Sequence, residues 1–260
     1  MFKATFTKFP DLLKRLIAVL LKISLESIEK FDITNTEISP ETLGDKFCRL
    51  DINMKVDGQI TNIEVQVEKE DHYTDRALYY WSRACSTALK EGQEYSQLPR
   101  IVHIHILNFN LFDCVEFYSE HQVLEVTRHT PLTNKEAFLF FELLKLPEQI
   151  DSGDEMKLWL ALFKAQTEEE LAKIEALGVP TMQQAIEAFR HVAATDEFKE
   201  MERLRSKARH NEAQALYNAE VKAKKENSIA IAKKALQMNF PINDIAMLTG
   251  LTSEEIEGLK

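Results

Sequence analysis

Two neighbouring stretches in the first half of the chain, residues 49–56 and 59–68, alternate apolar and polar side chains. Alternation with a period of two predicts β-strands with one buried face. Asp57 and Gly58 separate the two stretches, and this dipeptide between alternating runs is a strong signal for a two-residue turn. We therefore predict a tight β-hairpin over residues 49–68.

The hairpin fixes which residues face each other, because Val56 lies opposite Gln59 when Asp57 and Gly58 form the turn. Continuing this register places Asp51 opposite Glu64. Two carboxylates about 5 Å apart repel by roughly 3 kcal/mol at an effective dielectric of about 20. A shared proton, a nearby cation or a divalent metal would offset this repulsion. The same register sets three further pairs: Leu50 with Val65, Ile52 with Ile63, and Arg49 with Gln66.

Of the three ways to offset the repulsion, we favour Mg²⁺ held by Asp51 and Glu64. This hard cation takes one or two protein carboxylates and fills its other positions with water and substrate phosphate oxygens. The alternative is a solvated polar face on which the register slips and the two charges never meet.

Helical and strand periods alternate through the rest of the first half. Apolar residues at helical spacing predict helices over 10–23 and 75–90, and alternation predicts strands over 31–38 and 100–112. Further strands are predicted over 123–127 and 137–144, with Asn134 in a turn between them. Up to residue 113 the predicted order is therefore helix, three strands, helix, strand.

Beyond Pro147 the pattern is helical almost throughout. Helices are predicted over 156–167, 168–177, 182–194 and 196–238, followed by a short helix pair in 241–260. Gly250 ends the first helix of the pair, and Thr252 with Glu255 forms a capping box for the second. We predict two parts: residues 1–148, which contain the sheet, and residues 149–260, which are all helical.

Composition and charge narrow the class of protein. The chain has 260 residues and a formal net charge of −10, which argues against diffuse attraction to nucleic acid but leaves room for a local basic patch. Three widely spaced cysteines without a CxxC pair argue against a zinc or thiol enzyme and favour reduced thiols in the cytoplasm. No apolar run approaches 18 residues, so we predict no membrane span.

The clearest basic stretch lies in the helical part, between residues 199 and 234. Frequent cations can neutralise DNA phosphates, but an ordinary exposed helix also carries such residues. Likewise, the closing helix pair has the order of a helix-turn-helix, yet its second helix is short for reading a major groove, and dimerisation or packing is the alternative. The basic residues are Lys199, Arg203, Arg205, Lys207, Arg209, Lys222, Lys224, Lys225, Lys233 and Lys234.

Four short patterns give the chain a family resemblance. They are K-x-x-R-L-D-I at 46–52, I-E-x-Q at 63–66, R-x-L-Y-Y at 76–80 and G-x-x-Y at 92–95. With them the chain resembles the Rpn recombination-promoting nucleases, also labelled PD-(D/E)XK nuclease family transposases. The resemblance is close over about residues 36–113. It implies a restriction-endonuclease-like αβββαβ core with a mixed sheet, followed by an all-α C-terminal region.

The resemblance also implies roles for individual residues. Asp51 and Glu64 would bind Mg²⁺, for which Mn²⁺ can substitute. Gln66 occupies the position at which the wider superfamily has a lysine, and a glutamine can hydrogen-bond but cannot carry a charge. Lys46 or Arg49 would then supply that charge, although Arg49 could equally be a cross-strand partner of a neighbouring glutamate.

Several other residues have both a functional and a structural interpretation. Glu37 is a candidate third acid or a solvated strand residue. Tyr79 and Tyr80 would support the site or contact DNA, but core packing is expected for one of them. His103 and His105 face the same way like a metal pair, yet a half-buried strand face is favoured because imidazole does not suit a hard metal.

We therefore expect a Mg²⁺-dependent DNA endonuclease whose main ligands are Asp51 and Glu64, with Lys222, Lys224 and Lys225 as candidate DNA contacts. A homodimer through the helical region is a further expectation. The alternative is a catalytically inert protein that keeps the nuclease fold and acts as a DNA- or protein-binding module. Gln66 and the net charge of −10 favour that alternative.

Overall fold

The computed structural model describes residues 2–34, 37–38, 48–49 and 51–259, and only the backbone of residues 37, 38, 48, 49, 201, 202, 205, 208, 209 and 212. The chain divides into two compact units, Met1–Ala194 and Thr195–Lys260. Lys46 and Leu50, for which the sequence predicts a site role and a strand pair, lie outside the described residues.

The predicted hairpin is the centre of the first unit. Strand β4 (Ile52–Val56) and strand β5 (Gln59–Gln66) pair antiparallel, with Val56 opposite Gln59 and Ile52 opposite Ile63 as expected. Asp57 and Gly58 have φ values of 49° and 82°. Positive φ at both loop residues is the geometry that makes Asp-Gly a preferred hairpin turn.

The hairpin belongs to a mixed six-stranded sheet with the order β1-β4-β5-β6-β8-β7. Strands β5, β6 and β8 run parallel, and the outer pairs are antiparallel. Helix α3 (Tyr73–Ser86) connects β5 to its parallel neighbour β6, as a crossover between parallel strands requires. This α/β architecture with a helical C-terminal region confirms the predicted fold class. The other strands of the sheet are β1 (Phe31–Thr34), β6 (Ile101–Leu107), β7 (Tyr118–His121) and β8 (Glu136–Glu142).

One face of the sheet carries the main hydrophobic core. Because side chains alternate along a strand, Ile63, Ile104 and Phe141 point to the same side, where each is fully buried. Trp159 and Ile186 join them in this core from the covering helices. These helices are α1 (Phe2–Lys8), α2 (Pro10–Leu21), α4 (Glu155–Lys164), α5 (Glu168–Glu175) and α6 (Pro180–Ala194).

The units divide at a different place from the change in sequence pattern near residue 148. Helices α4 and α6 carry the buried residues Leu158, Trp159 and Ile186, and these belong to the core of the first unit. The helical sequence pattern that starts near residue 148 therefore begins inside the first compact unit, which ends at Ala194.

The second unit consists of helix α7 (Asp196–Gln237) and the short helices α8 (Ile242–Thr249) and α9 (Ser253–Glu257). Gly250 ends α8 with a φ of 70°, and Thr252 and Glu255 form the predicted capping box. Four buried residues make a small core: Ala232, Ile245, Leu251 and Ile256. Across both units, no described helix combines the length and apolarity needed to span a bilayer.

Two local predictions are wrong. The strand expected over 123–127 is reduced to an isolated antiparallel bridge between Leu124 and Pro131 followed by a turn, and the strand of this region lies earlier, in β7. The apolar residue Val126 is 87% exposed in this loop, while Glu125 accepts backbone hydrogen bonds from Thr127 and Arg128. Alternation at 123–127 therefore reflects an exposed turn instead of a half-buried strand.

The second wrong prediction concerns Arg49. Among the described residues, strands β2 (Glu37–Ile38) and β3 (Cys48–Arg49) form a separate two-stranded sheet in which Arg49 lies opposite Glu37. The predicted pair of Arg49 and Gln66 is therefore not formed, because the long ladder ends at Ile52 and the chain bends at Asp51.

Candidate active site

Asp51 lies immediately before β4 and is tied to the neighbouring strand by its side chain. Its Oδ2 atom accepts a hydrogen bond of 2.8 Å from the backbone N–H of Val65. The predicted register placed Asp51 opposite Glu64, and the structure instead bonds Asp51 to the residue that follows Glu64. Asp51 therefore lies beside the strand that carries Glu64, and its negative charge adds to the causes that raise the pKa of Glu64.

Glu64 lies in the middle of the sheet, on the face covered by α3, and only 8% of it is exposed. Burial raises the pKa of Glu64 to about 7; the positive charge of Arg76 opposes this shift, and the negative charges of Asp51 and Glu70 add to it. A carboxylate with a pKa near neutrality is held where its charge is costly, and such groups cluster at functional sites.

Arg76, on the first turns of α3, provides the cation that faces Glu64. Its Nη2 atom lies 2.6 Å from Oε1 of Glu64, and its Nη1 atom donates to Glu70. Gln66 donates from Nε2 to the other oxygen of Glu70 at 2.7 Å. Glu70 therefore links the cation to the residue at the superfamily lysine position. Burial works against the charge on Arg76, but the two carboxylates raise its pKa overall.

Beneath this cluster, the α3 face of the sheet contains a buried polar layer. The Tyr73 hydroxyl lies 3.0 Å from Nδ1 of His105, and the Asn62 amide contacts Nε2 of His103. Burial lowers the pKa of His103 to about 3 and that of His105 well below its ordinary value, so both imidazoles are neutral. Both histidines are almost fully buried, where the sequence predicted a half-buried face.

Two other buried acids lack this pattern. Glu142 accepts from the backbone N–H groups of Leu111 and Phe112 and pairs with Lys145, and Glu136 accepts from the backbone of Val123. These donors satisfy the buried carboxylates by hydrogen bonding. None of these partners is a second acid that could share a metal ion. We therefore interpret Glu136 and Glu142 as structural and Glu64 as the functional acid.

The described donor set suits a hard divalent cation. Asp51, bonded to the backbone of Val65, and Glu64, which precedes Val65 on β5, both provide carboxylate oxygens. Oxygen ligands in this small number fit what Mg²⁺ takes from a protein. His103 and His105 are excluded as ligands to such an ion by their chemistry and their separate hydrogen bonds. Among the described residues no group of three or more His, Cys, Asp or Glu side chains is arranged to hold a metal ion.

The remaining predicted residues are spread over the molecule. Tyr79 and Tyr80 are both half-buried on α3, with ring centroids 6.4 Å apart, and the Tyr80 ring lies 5.9 Å from the guanidinium carbon of Arg76. Neither is the core tyrosine of this helix, which is Tyr73. The structure does not describe the side chains of Glu37 and Arg49.

The candidate DNA-binding lysines lie on α7, in the second unit. All three are exposed, and each has a carboxylate partner. The pairs are Lys222 with Glu226 at 3.9 Å, Lys224 with Glu220 at 2.7 Å and Lys225 with Glu255 at 3.2 Å. Binding of phosphate there would have to replace these ion pairs.

Sequence reasoning missed Arg76 and Glu70 as members of the site. Arg76 opens the R-x-L-Y-Y pattern, so a signal was present, but nothing local says which face of α3 meets the sheet. Its contact with Glu64 depends on how α3 packs through Tyr73 and Ala77.

Comparison with known families identifies one match. The sequence model of the family described as PD-(D/E)XK nuclease family transposase matches residues 1–219. This range includes the six-stranded sheet and the residues Asp51, Glu64, Gln66, Glu70 and Arg76. No curated protein and no solved structure matches the chain.

Proposed function

The chain belongs to the PD-(D/E)XK nuclease family transposases, and from this premise we propose that it is a DNA endonuclease that depends on Mg²⁺, with Mn²⁺ as a substitute. The observation that carries the proposal is the position of Asp51, whose carboxylate is bonded to the backbone N–H of Val65, directly after the buried acid Glu64. Burial raises the pKa of Glu64 to about 7, and the negative charge of Asp51 adds to this shift. A divalent cation bound by both acids would offset the repulsion between their charges and favour the ionised form of Glu64.

In this proposal Asp51 and Glu64 are the metal ligands. The bond from Val65 N–H to Asp51 Oδ2 fixes the orientation of the first acid, and the strand backbone of β5 fixes the second. Bound Mg²⁺ supplies Lewis-acid chemistry, since it polarises a phosphate oxygen and lowers the pKa of the attacking water.

In this proposal Gln66 orients its neighbours by hydrogen bonding and carries no charge. Its amide donates to Glu70 at 2.7 Å, so the side chain is oriented within the acidic cluster. A lysine at this position would add a positive charge, which an amide cannot provide. A positive charge in the site must therefore come from another residue.

Plasmid cleavage tests the proposal. Supercoiled plasmid is incubated with the protein in Mg²⁺, in Mn²⁺ and in EDTA, together with the Asp51→Asn variant, which keeps the shape of the side chain. We expect nicking with either metal, none in EDTA, and none by the variant. Asp32→Asn, which changes an exposed aspartate of strand β1, is the matched control and should cleave like the unchanged protein.

Undiminished cleavage by Asp51→Asn would contradict the site assignment. A gel shift in EDTA separates the second candidate, an inert nuclease-fold binding module, which Gln66 and the net charge of −10 favour. DNA binding without nicking in either metal would support that candidate. A recombination role and a homodimer through the helical region both stay predictions.

A further inference from the structure

The guanidinium of Arg76 makes three contacts at the candidate site. Its guanidinium lies 2.6 Å from Glu64, also pairs with Glu70, and sits over the Tyr73 ring at 4.8 Å. These contacts hold a permanent positive charge beside the acid that we assign as a metal ligand. About a quarter of the side chain remains exposed, so the guanidinium can also be reached from solvent.

The site has a missing charge that Arg76 can provide. Gln66 is neutral at the position where a lysine would stabilise the negative charge that builds up on the phosphate. The two replacements expected from sequence cannot be placed: Lys46 lies outside the described residues, and the side chain of Arg49 is not described. Lys69, the nearest lysine in sequence, donates to the backbone oxygen of Asn110 at 3.4 Å.

We propose that Arg76 is a catalytic residue that contacts the phosphate under attack and supplies the charge that Gln66 lacks; this rests on the proposed function. The guanidinium has five N–H donors in a fixed planar arrangement, so it can keep its bond to Glu64 while another N–H binds a phosphate oxygen. During hydrolysis the water oxygen bonds to phosphorus and loses a proton to solvent. The ester P–O bond breaks, and its electron pair passes to the leaving sugar oxygen, which takes up a proton from solvent. Arg76 takes no part in proton transfer, because it stays protonated throughout.

The chain positions this charge in advance. Glu70 accepts from both Arg76 and Gln66, so one carboxylate orients the cation and the amide together. The Tyr73 ring beneath the guanidinium carbon limits where the side chain can move. A preoriented donor in a partly dry site stabilises developing charge more than the same group in water.

Two substitutions of Arg76 test the inference, with kcat, KM and Mn²⁺ affinity measured separately. We expect Arg76→Gln to lower kcat by about 100-fold, the usual effect of removing one charge-stabilising donor. KM for DNA and Mn²⁺ affinity, followed by electron paramagnetic resonance without DNA, should stay within about threefold, because Asp51 and Glu64 are retained. Arg76→Lys should recover part of the lost kcat, because it restores a positive charge.

The controls separate this role from folding and from general electrostatics. Arg128→Gln removes one positive charge from an exposed pair with Glu125, in the loop between β7 and β8, and should leave kcat unchanged. Thermal unfolding checks that each variant is folded. If Arg76→Gln unfolds, the comparison is made with Arg76→Lys, which keeps the positive charge and should retain more kcat than any folded neutral variant. In a folded Arg76→Ala sample, added guanidinium ion at millimolar concentration should raise the rate.

Three results would overturn the inference. The first is full kcat in Arg76→Gln while Asp51→Asn is inactive, and the second is loss of Mn²⁺ binding in step with kcat, which would mean that Arg76 only positions Glu64. The third is a kcat that recovers neither in Arg76→Lys nor on addition of guanidinium ion. If Asp51→Asn cleaves like the unchanged protein, or the unchanged protein does not cleave, the proposed function itself has failed.

Discussion

The two faces of the central sheet differ in the kind of side chain that they bury. On one face Ile63 and Ile104 pack into a continuous apolar core. On the other face their neighbours in sequence, Glu64 and His105, lie under α3 among buried polar groups. The same strands therefore build a stabilising surface and a chemical one, and a single-residue step along the chain changes from one to the other.

Glu64→Gln should give the largest effect that distinguishes the faces. It removes the charge of a proposed metal ligand, so we expect cleavage to fall by at least about a thousandfold, equivalent to about 4 kcal/mol of barrier. The fold should survive, because the amide oxygen still accepts from Arg76 and a costly buried charge is gone. Initial rates and thermal midpoints measure both effects. A rate near that of the unchanged protein would contradict the functional assignment of this face.

Ile104→Ala is the matched change on the apolar face. Ile104 is fully buried in the central strand β6, so its truncation should lower the free energy of unfolding by about 2–5 kcal/mol. Cleavage per folded molecule should stay the same, because no contact of Glu64 changes. Denaturant unfolding and rates at low temperature test this. If this variant also lost activity while folded, the two faces would not be separable.

Lowering the pH should destabilise the fold through His103, which is buried on the polar face of the sheet. Burial lowers its pKa to about 3, whereas an unfolded histidine titrates near 6.5. The unfolded chain therefore binds a proton in this window that the folded chain does not. Stability is fully present above about pH 6.5 and is lost as the pH falls towards 3, by up to about 1.4 kcal/mol per pH unit.

Unfolding of the unchanged protein and of His103→Gln at pH 7 and pH 5 measures this contribution. The glutamine does not titrate, so the variant should lose less stability between the two pH values. His105, also buried and neutral, accounts for part of the slope that remains. The same pH dependence in both proteins would show that His103 is not held neutral by burial.

Gly58→Ala should give the smallest effect, and one that both faces share. At a φ of 82° an alanine is strained, and we expect a loss of about 1 kcal/mol in unfolding free energy. The cleavage rate of the folded protein should not change, because the register is also held by the buried strand residues. Denaturant titration measures the loss, and a changed metal affinity would indicate that the turn alone sets the register.

Local signals explain which of these features the sequence reveals. Asp57-Gly58 fixes the hairpin, and the register from Val56 opposite Gln59 to Ile52 opposite Ile63 follows by counting. Just beyond this ladder, Asp51 bonds to the backbone of Val65. Thr252 and Gly250 likewise mark the ends of the last helices through their own backbone chemistry. Each of these predictions depends on residues within one turn or one hairpin.

Features that depend on packing between distant segments were not accessible in this way. Arg76 reaches Glu64 only because α3 crosses the sheet with Tyr73 and Ala77 inward. The histidines of β6 are buried on a face that alternation alone would leave half exposed, since α3 covers it. The apolar residues near Val126 suggested a strand, but the segment pairs only through an isolated antiparallel bridge between Leu124 and Pro131, and Val126 itself is exposed.

Calorimetric titration of Mn²⁺ into the metal-free protein tests the central claim most directly, since it needs neither DNA nor turnover. Asp51→Asn, Glu64→Gln and Ile104→Ala are titrated under the same conditions. We predict one binding event in the unchanged protein and in Ile104→Ala, and its loss in the two acid variants. Equal heats and affinities in all four proteins would contradict the assignment of Asp51 and Glu64 as the metal site.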